Sequence, residues 1–182
     1  YRPKWAHSTA YWPIDELISD RGHALMKSNS EISQKAYAGN NAGIAMVMGE
    51  LMLAHYRRVY QAFDGDLMLA MILAEIAHYN VQDLVRGERF RNAAIAAYVA
   101  ENRLKPVNTL SLSQSCAIPR ETLRRKIRTL IDAGLIRKNT DGSLHITEQC
   151  MARFGTDFNL ALLKDIRTCA ARLEGVLDEA GT

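Results

Sequence analysis

Cysteine is scarce in this chain of 182 residues, which has only Cys116, Cys150 and Cys169. They are too few and too scattered for a disulfide framework, and none stands in the C-x-x-C spacing of a zinc site or redox dithiol. A reducing compartment, hence the cytoplasm, is the expected setting. Long apolar runs are also lacking. The charge-free stretch Ala36–Gly49 includes Asn40 and Asn41 and falls well short of the ~20 apolar residues that span a bilayer, so no membrane segment is expected. Because residue 1 is Tyr, further N-terminal sequence is expected, and the lack of a targeting signal carries little weight. No P-loop, G-x-G-x-x-G or Ser-His-Asp ordering occurs, and the five histidines are scattered. Enzymes therefore take second place, with no catalytic residue and no cofactor assigned. An excess of one charge is missing as well, since 23 Lys and Arg face 20 Asp and Glu for a net +3. What is present is ordinary globular composition, 48% hydrophobic and 24% charged, which excludes disorder and low complexity. The length allows one medium domain or two small ones.

Helical periodicity dominates the N-terminal part. A short helix is expected from Asp15, after Pro13, and the Ser-, Asn-, Gly- and Ala-rich stretch Ser28–Gly43 reads as a connection. From Asn41 to Phe63 the positions Ile44, Val47, Met48, Leu51, Met52, Val59 and Phe63 recur at steps of three and four, predicting an amphipathic helix that ends at Asp64-Gly65. Asp66 is expected to cap a second helix through about Leu84. Its Leu67, Leu69, Met71, Ile72, Leu73 and Ile76 leave almost no polar face, so it must be buried on several sides by its own fold or by a partner chain. An Ala-rich helix from about Phe90 to Glu101 ends before Lys105-Pro106. A last helix, Asn159 to Leu177, carries Leu160, Leu163, Ile166, Ala170, Leu173 and Leu177 on one stripe suited to antiparallel or intersubunit packing. Met46, Met48, Met52, Met68 and Met71 read as adaptable core or dimer interface, with the lining of an effector pocket as an alternative.

The segment after Pro106 carries the functional signal. Ser111-Leu-Ser-Gln114 matches a capping box that starts a short helix at Ser111 and lets it run to about Ala117. Pro119 is tolerated only at the first turn of a new helix. That helix puts Leu123, Ile127, Leu130 and Ile131 on one face and Arg120, Glu121, Arg124, Arg125 and Arg128 on the other, and stops at Gly134 with a left-handed C-cap. Asn139-Thr-Asp-Gly142, flanked by Leu135–Lys138 and Ser143–Thr147, predicts a hairpin. Ile136, Leu144 and Ile146 share its inner face, leaving Arg137, Lys138 and His145 near the tip and outer side.

The run from Pro106 to Lys138 resembles bacterial winged helix-turn-helix transcription regulators, the broad group of MarR-like and GntR-like families. The specific part is Pro119-Arg-Glu-Thr-Leu-Arg-Arg-Lys-Ile127 followed by Leu130-Ile-Asp-Ala-Gly-Leu-Ile136. Members commonly have Gly where Ala117 stands and Ser where Pro119 stands. The resemblance implies a mainly α fold with a small β-wing, in which N- and C-terminal helices form a dimerisation region. Residues 1–65 would be an N-terminal helical region with a dimerisation or effector role, 66–148 the winged domain with its core at 106–148, and 149–182 a C-terminal dimerisation helix. The implied protein is a homodimeric, sequence-specific double-stranded DNA-binding regulator, with a small-molecule effector left open.

Charge follows the same boundaries. Residues 1–102 hold 10 basic and 11 acidic residues, 103–147 hold 9 and 3, and 148–182 hold 4 and 6. All the excess positive charge therefore lies in the motif segment, as phosphate binding requires. Helix 119–133 is expected in the major groove, with Arg120, Thr122 and Arg124 near base edges, and the wing 137–146 on the backbone or minor groove. Ser111, Ser113, Arg125, Arg128, Arg137 and Lys138 suit phosphates. Glu121 either accepts from a cytosine amino group or orients Arg124 or Arg125. Competing readings are a solvated cationic face, a winged module used for protein contacts, and a helical metal-binding enzyme built on Glu75-x-x-His78 with Glu50 and His55. Cys116 reads as a small core residue, with redox sensing as the alternative.

Overall fold

A computed structural model describes residues 34–86, 92–101 and 103–178, all of them within one of the chain's two compact units, Ile32–Thr182. The helix expected from Asp15 lies outside the described residues. The architecture is mainly helical with one small antiparallel sheet: α1 (Gln34–Ala62), α2 (Leu67–Arg86), α3 (Asn92–Ala100), α4 (Thr109–Ser115), α5 (Arg120–Asp132), β1 (Ile136–Lys138), β2 (Leu144–Ile146), α6 (Glu148–Phe154) and α7 (Asp157–Asp178).

Helix α1 begins earlier than its periodicity suggested, so the stretch Ser28–Gly43 is not a connection from Gln34 onward. The reason is tertiary. α7 packs antiparallel against α1, and a Cβ on Gly43 would already touch Val176 Cγ1 at 3.4 Å. Further along the pair, Cys169 donates its thiol to the Val47 carbonyl at 3.9 Å, Arg172 bonds Glu50, and Arg58 bonds Asp165 at 2.6 Å. Of the apolar stripe expected on α7, Leu160, Leu163, Ile166 and Ala170 are exposed, while Leu173 and Leu177 are half-buried. On α1, Met46, Leu53, Tyr56 and Tyr60 are exposed too. The five methionines singled out above, Met46, Met48, Met52, Met68 and Met71, are all exposed, so they are not core within this chain.

Asp66 caps α2 as expected, its Oδ1 accepting from the Leu69 N–H at 2.9 Å. α2 is buried through Leu69, Ile72, Leu73 and Ile76, but Leu67, Met68 and Met71 leave one flank open. The core runs from these residues through Val99, Leu112, Leu123 and Leu130 to Ile136 and Leu144. Removing side chains of this size from water is the main stabilising contribution.

One polar residue ties three segments into that core. Asn80, on α2, is 1% exposed. Its Nδ2 donates to the carbonyls of Lys105 (2.7 Å) and Leu144 (3.1 Å), and its Oδ1 accepts from the Ile146 N–H at 2.8 Å. The sheet pairs Ile136 with Ile146, Arg137 with His145 and Lys138 with Leu144. An isolated bridge adds Val107 beside Leu144, with the Leu144 N–H donating to the Val107 carbonyl at 2.8 Å.

Candidate nucleic-acid interface

Helix α4 starts at Thr109, two residues before the expected Ser111. Asn108 is its N-cap, in extended conformation (φ −111°, ψ 162°), and its Oδ1 accepts from the Ser111 N–H at 2.9 Å. Asn is at least as good a cap as Ser, and Asn108 lies three residues earlier, which places Ser111 inside the first turn. The helix ends at Ser115, short of Ala117. Ala117 itself has φ +53°, the left-handed conformation that favours Gly. Ser113 fastens this turn: its hydroxyl donates to the Ile118 carbonyl at 2.8 Å. A phosphate offers only acceptors, so the Ser113 hydroxyl has its proton committed elsewhere.

Pro119 then caps α5, supplying no side-chain bond. Leu123, Ile127 and Leu130 are buried, while Arg120, Glu121, Arg124, Arg125 and Arg128 are exposed, as the helical period requires. Thr122 is half-buried, on the flank it shares with Lys126, and Lys126 bonds the Asp66 carboxylate that caps α2. Burial pushes the Asp66 carboxyl up, but the Lys126 bond, the Leu69 N–H and the charges of Lys126 and Arg125 together hold it below its ordinary value. Gly134 has φ +69° and closes the helix left-handed, as expected. Thr147 donates to the Gly134 carbonyl at 2.6 Å and caps α6.

The hairpin departs from expectation on its outer face. Ile136, Leu144 and Ile146 are buried as foreseen, but His145 is 3% exposed and Arg137 is half-buried. Arg137, paired with His145 across the sheet, reaches the end of α3, where its Nη2 donates to the Val99 carbonyl at 3.0 Å. Both ring nitrogens of His145 are buried without a hydrogen-bond partner, and desolvation, then the Arg137 charge, push its pKa down, against a weaker pull from Asp141. The unfolded chain therefore takes up this proton more readily. The contribution is fully present above the ordinary value of 6.5 and is lost as pH falls below it toward the folded value. Urea midpoints taken from about pH 7.5 down to about pH 5 should decline, and His145→Leu should flatten that part of the decline.

The segment 103–147 holds nine cations, but many are already engaged. Arg103 bonds Glu101, Lys105 bonds Asp83 at 3.2 Å, Lys126 bonds Asp66, and Arg124 lies 3.4 Å from Glu121. Among the described residues, Arg120, Arg125, Arg128 and Lys138 make no ion pair. Arg124, Arg125, Arg128 and Lys138 line one open groove of about 720 Å³ beside α5, with Thr109, Glu121 and Asp132. Arg120 and Arg124 border a second hollow with Thr109 and the exposed Leu110 at the start of α4. Leu110 and Lys126 escaped the sequence reading: the first looked like one more apolar position, and the partner of the second is 60 residues away.

The metal alternative finds no assembled ligand set. Glu50 is bonded to Arg172 and His55 lies against Phe158, and among the described residues no group of three or more His, Cys, Asp and Glu side chains is placed to share an ion. Cys116 is half-buried at the end of α4; burial pushes its thiol up, against the bond to Ser115, which disfavours the thiolate. Burial pushes Cys150 up to about 11. Among the described residues no helix is long and apolar enough to cross a membrane. No family model matches the chain, and no curated protein or solved structure is significantly similar to it.

Proposed function

We propose that this chain is a winged helix-turn-helix transcription regulator of the bacterial cytoplasm that binds double-stranded DNA sequence-specifically as a homodimer. The observation that carries the reading is the exposed row Arg120, Arg124, Arg125, Arg128 on α5, continued by Lys138 at the end of β1. A helix with such a face, following a tight turn and followed by a hairpin, has the form that enters a major groove. Arg120 and Arg124, near the N-terminus of α5, are assigned to base edges, and Arg125, Arg128 and Lys138 to phosphates. Glu121 is assigned to orienting Arg124. Ser111 in the first turn of α4 keeps a backbone-side role, while Ser113, Thr122 and Arg137 serve first as structural supports of the turn, the α2 flank and the wing.

Pairing of two chains is assigned to the apolar faces that α1 and α7 leave exposed, Met46, Leu53, Tyr56 and Tyr60 beside Leu160, Leu163 and Ile166. Selection of bound sites from random duplexes tests both parts together. The expected product is a two-fold symmetric site with half-sites about one helical turn apart. Recovery of no enriched sequence would sink the regulator reading, and an enriched but asymmetric single site would remove the dimer from it.

A further inference from the structure

Helix α4 carries two leucines with opposite surroundings. Leu112 is 2% exposed and belongs to the core, whereas Leu110 is 46% exposed. Two residues along a helix turn the side chain by about 200°, so Leu110 contributes nothing to the face that Leu112 buries. A lone exposed leucine is ordinary on a protein surface; the position of this one is not. It lines a hollow of about 350 Å³ with Thr109 beside it on α4 and with Arg120, Glu121 and Arg124 on α5. The other four side chains are polar or charged, so the hollow combines hydrogen-bonding groups from α5 with one branched apolar group from α4.

Arg120 and Arg124 are the arginines assigned above to base edges, and a side chain that shares their hollow faces the same stretch of groove. The base edges presented in a major groove are nitrogen and oxygen acceptors and amino donors, with one apolar exception, the C5 methyl of thymine. An isobutyl group has no hydrogen bond to offer a phosphate or a polar edge, and covering such an edge with it would strip water without replacing it. We propose that Leu110 is a specificity-determining residue that packs on the methyl group of a thymine beside the base read by Arg120 or Arg124, one such thymine in each half-site. The inference rests on the DNA-binding reading and adds to it a base preference supplied by α4, outside the recognition helix. Removing one methyl group from water against Leu110 discriminates by about fourfold.

The test uses the duplex recovered by selection from random sequences, with each thymine replaced in turn by deoxyuridine, which differs by that methyl alone. Fluorescence anisotropy with the full chain is expected to show about fourfold weaker binding at one thymine per half-site. Leu110→Ala should bind thymine and deoxyuridine equally at that position and respond as the parent does at every other. The side chain is exposed, so the variant should stay folded, and the deoxyuridine scan of the parent chain needs no variant. The proposal is overturned if no thymine in the site is sensitive to loss of its methyl, if the sensitivity persists in Leu110→Ala, or if Leu110→Ala weakens thymine and deoxyuridine duplexes alike, which is the mark of packing on the sugar-phosphate backbone. In each of these cases a sequence-selective duplex is still bound and the regulator reading stands. Recovery of no enriched duplex overturns that reading and this inference with it.

Discussion

Replacing Arg125, Arg128 and Lys138 together with Ala is expected to lower affinity for duplex DNA by on the order of 10²- to 10³-fold per chain at about 0.1 M salt. Each phosphate neutralised by a cation contributes about 0.9 to the slope of log K against log salt, so the slope should shrink in magnitude by about 2.7. The three side chains are exposed and make no ion pair among the described residues, so unfolding free energy should change by no more than about 0.5 kcal/mol per site. Fluorescence anisotropy over a salt series, with urea unfolding in parallel, separates the two effects. An unchanged slope in a folded triple variant would remove the phosphate role assigned to these residues. Lys126→Ala is the instructive contrast. Its charge is already matched by Asp66 at the start of α2, so its loss should register mainly as stability.

The largest expected effect on stability belongs to Asn80. Asn80→Ala leaves the Ile146 N–H and the carbonyls of Lys105 and Leu144 without their side-chain partner and opens space in the core. A destabilisation of about 3–5 kcal/mol is expected, seen as a fall in Tm of roughly 6–20 °C for a chain of this size. Asn80→Leu should also destabilise despite its similar volume, because the backbone groups remain unpaired. Asn80→Asp keeps an acceptor for Ile146 but turns a carboxylate toward two carbonyl oxygens, so it should not rescue. Thermal unfolding by circular dichroism checks all three, and a loss below about 1 kcal/mol for Asn80→Ala would refute the role given to this residue.

The parts of this architecture that were legible beforehand are those set by neighbours in the chain. Pro119, the period of Leu123, Ile127 and Leu130, Gly134, and the Asp141-Gly142 turn each act over a few residues, and α5 and the hairpin appear where those signals place them. The missed features depend on partners far along the chain. Gly43 looks like a breaker until α7 is brought alongside, where a Cβ would meet Val176 Cγ1. His145 alternates with Leu144 and Ile146, and alternation puts it outside, but the folded chain buries it beside Arg137, which is drawn to the Val99 carbonyl of α3. Asn80 is a single polar residue in an apolar helix, and only the strand 64 and 66 residues later explains it. The cationic face was legible as a count and not as a geometry, since the ion pairs that engage Arg103, Lys105 and Lys126 all need the folded chain or its turns.

The fastening of the hairpin also determines how it can move. Strands of three residues are too short to hold a free ribbon, but here the base is anchored by Asn80 on one strand and by the Val107 bridge beside it. Even the tip is braced, with the Ser143 N–H and hydroxyl both donating to Asp141 Oδ1, at 2.9 and 2.6 Å, and the Asn139 amide donating to the Ser143 hydroxyl at 3.2 Å. Lys138, the last residue of β1, is therefore presented from a stiff arm whose distance from α5 is set by the core. On the proposed reading such an arm acts as a caliper: it accepts duplexes whose groove geometry brings a phosphate to Lys138 while α5 is seated, and gives little where the spacing differs.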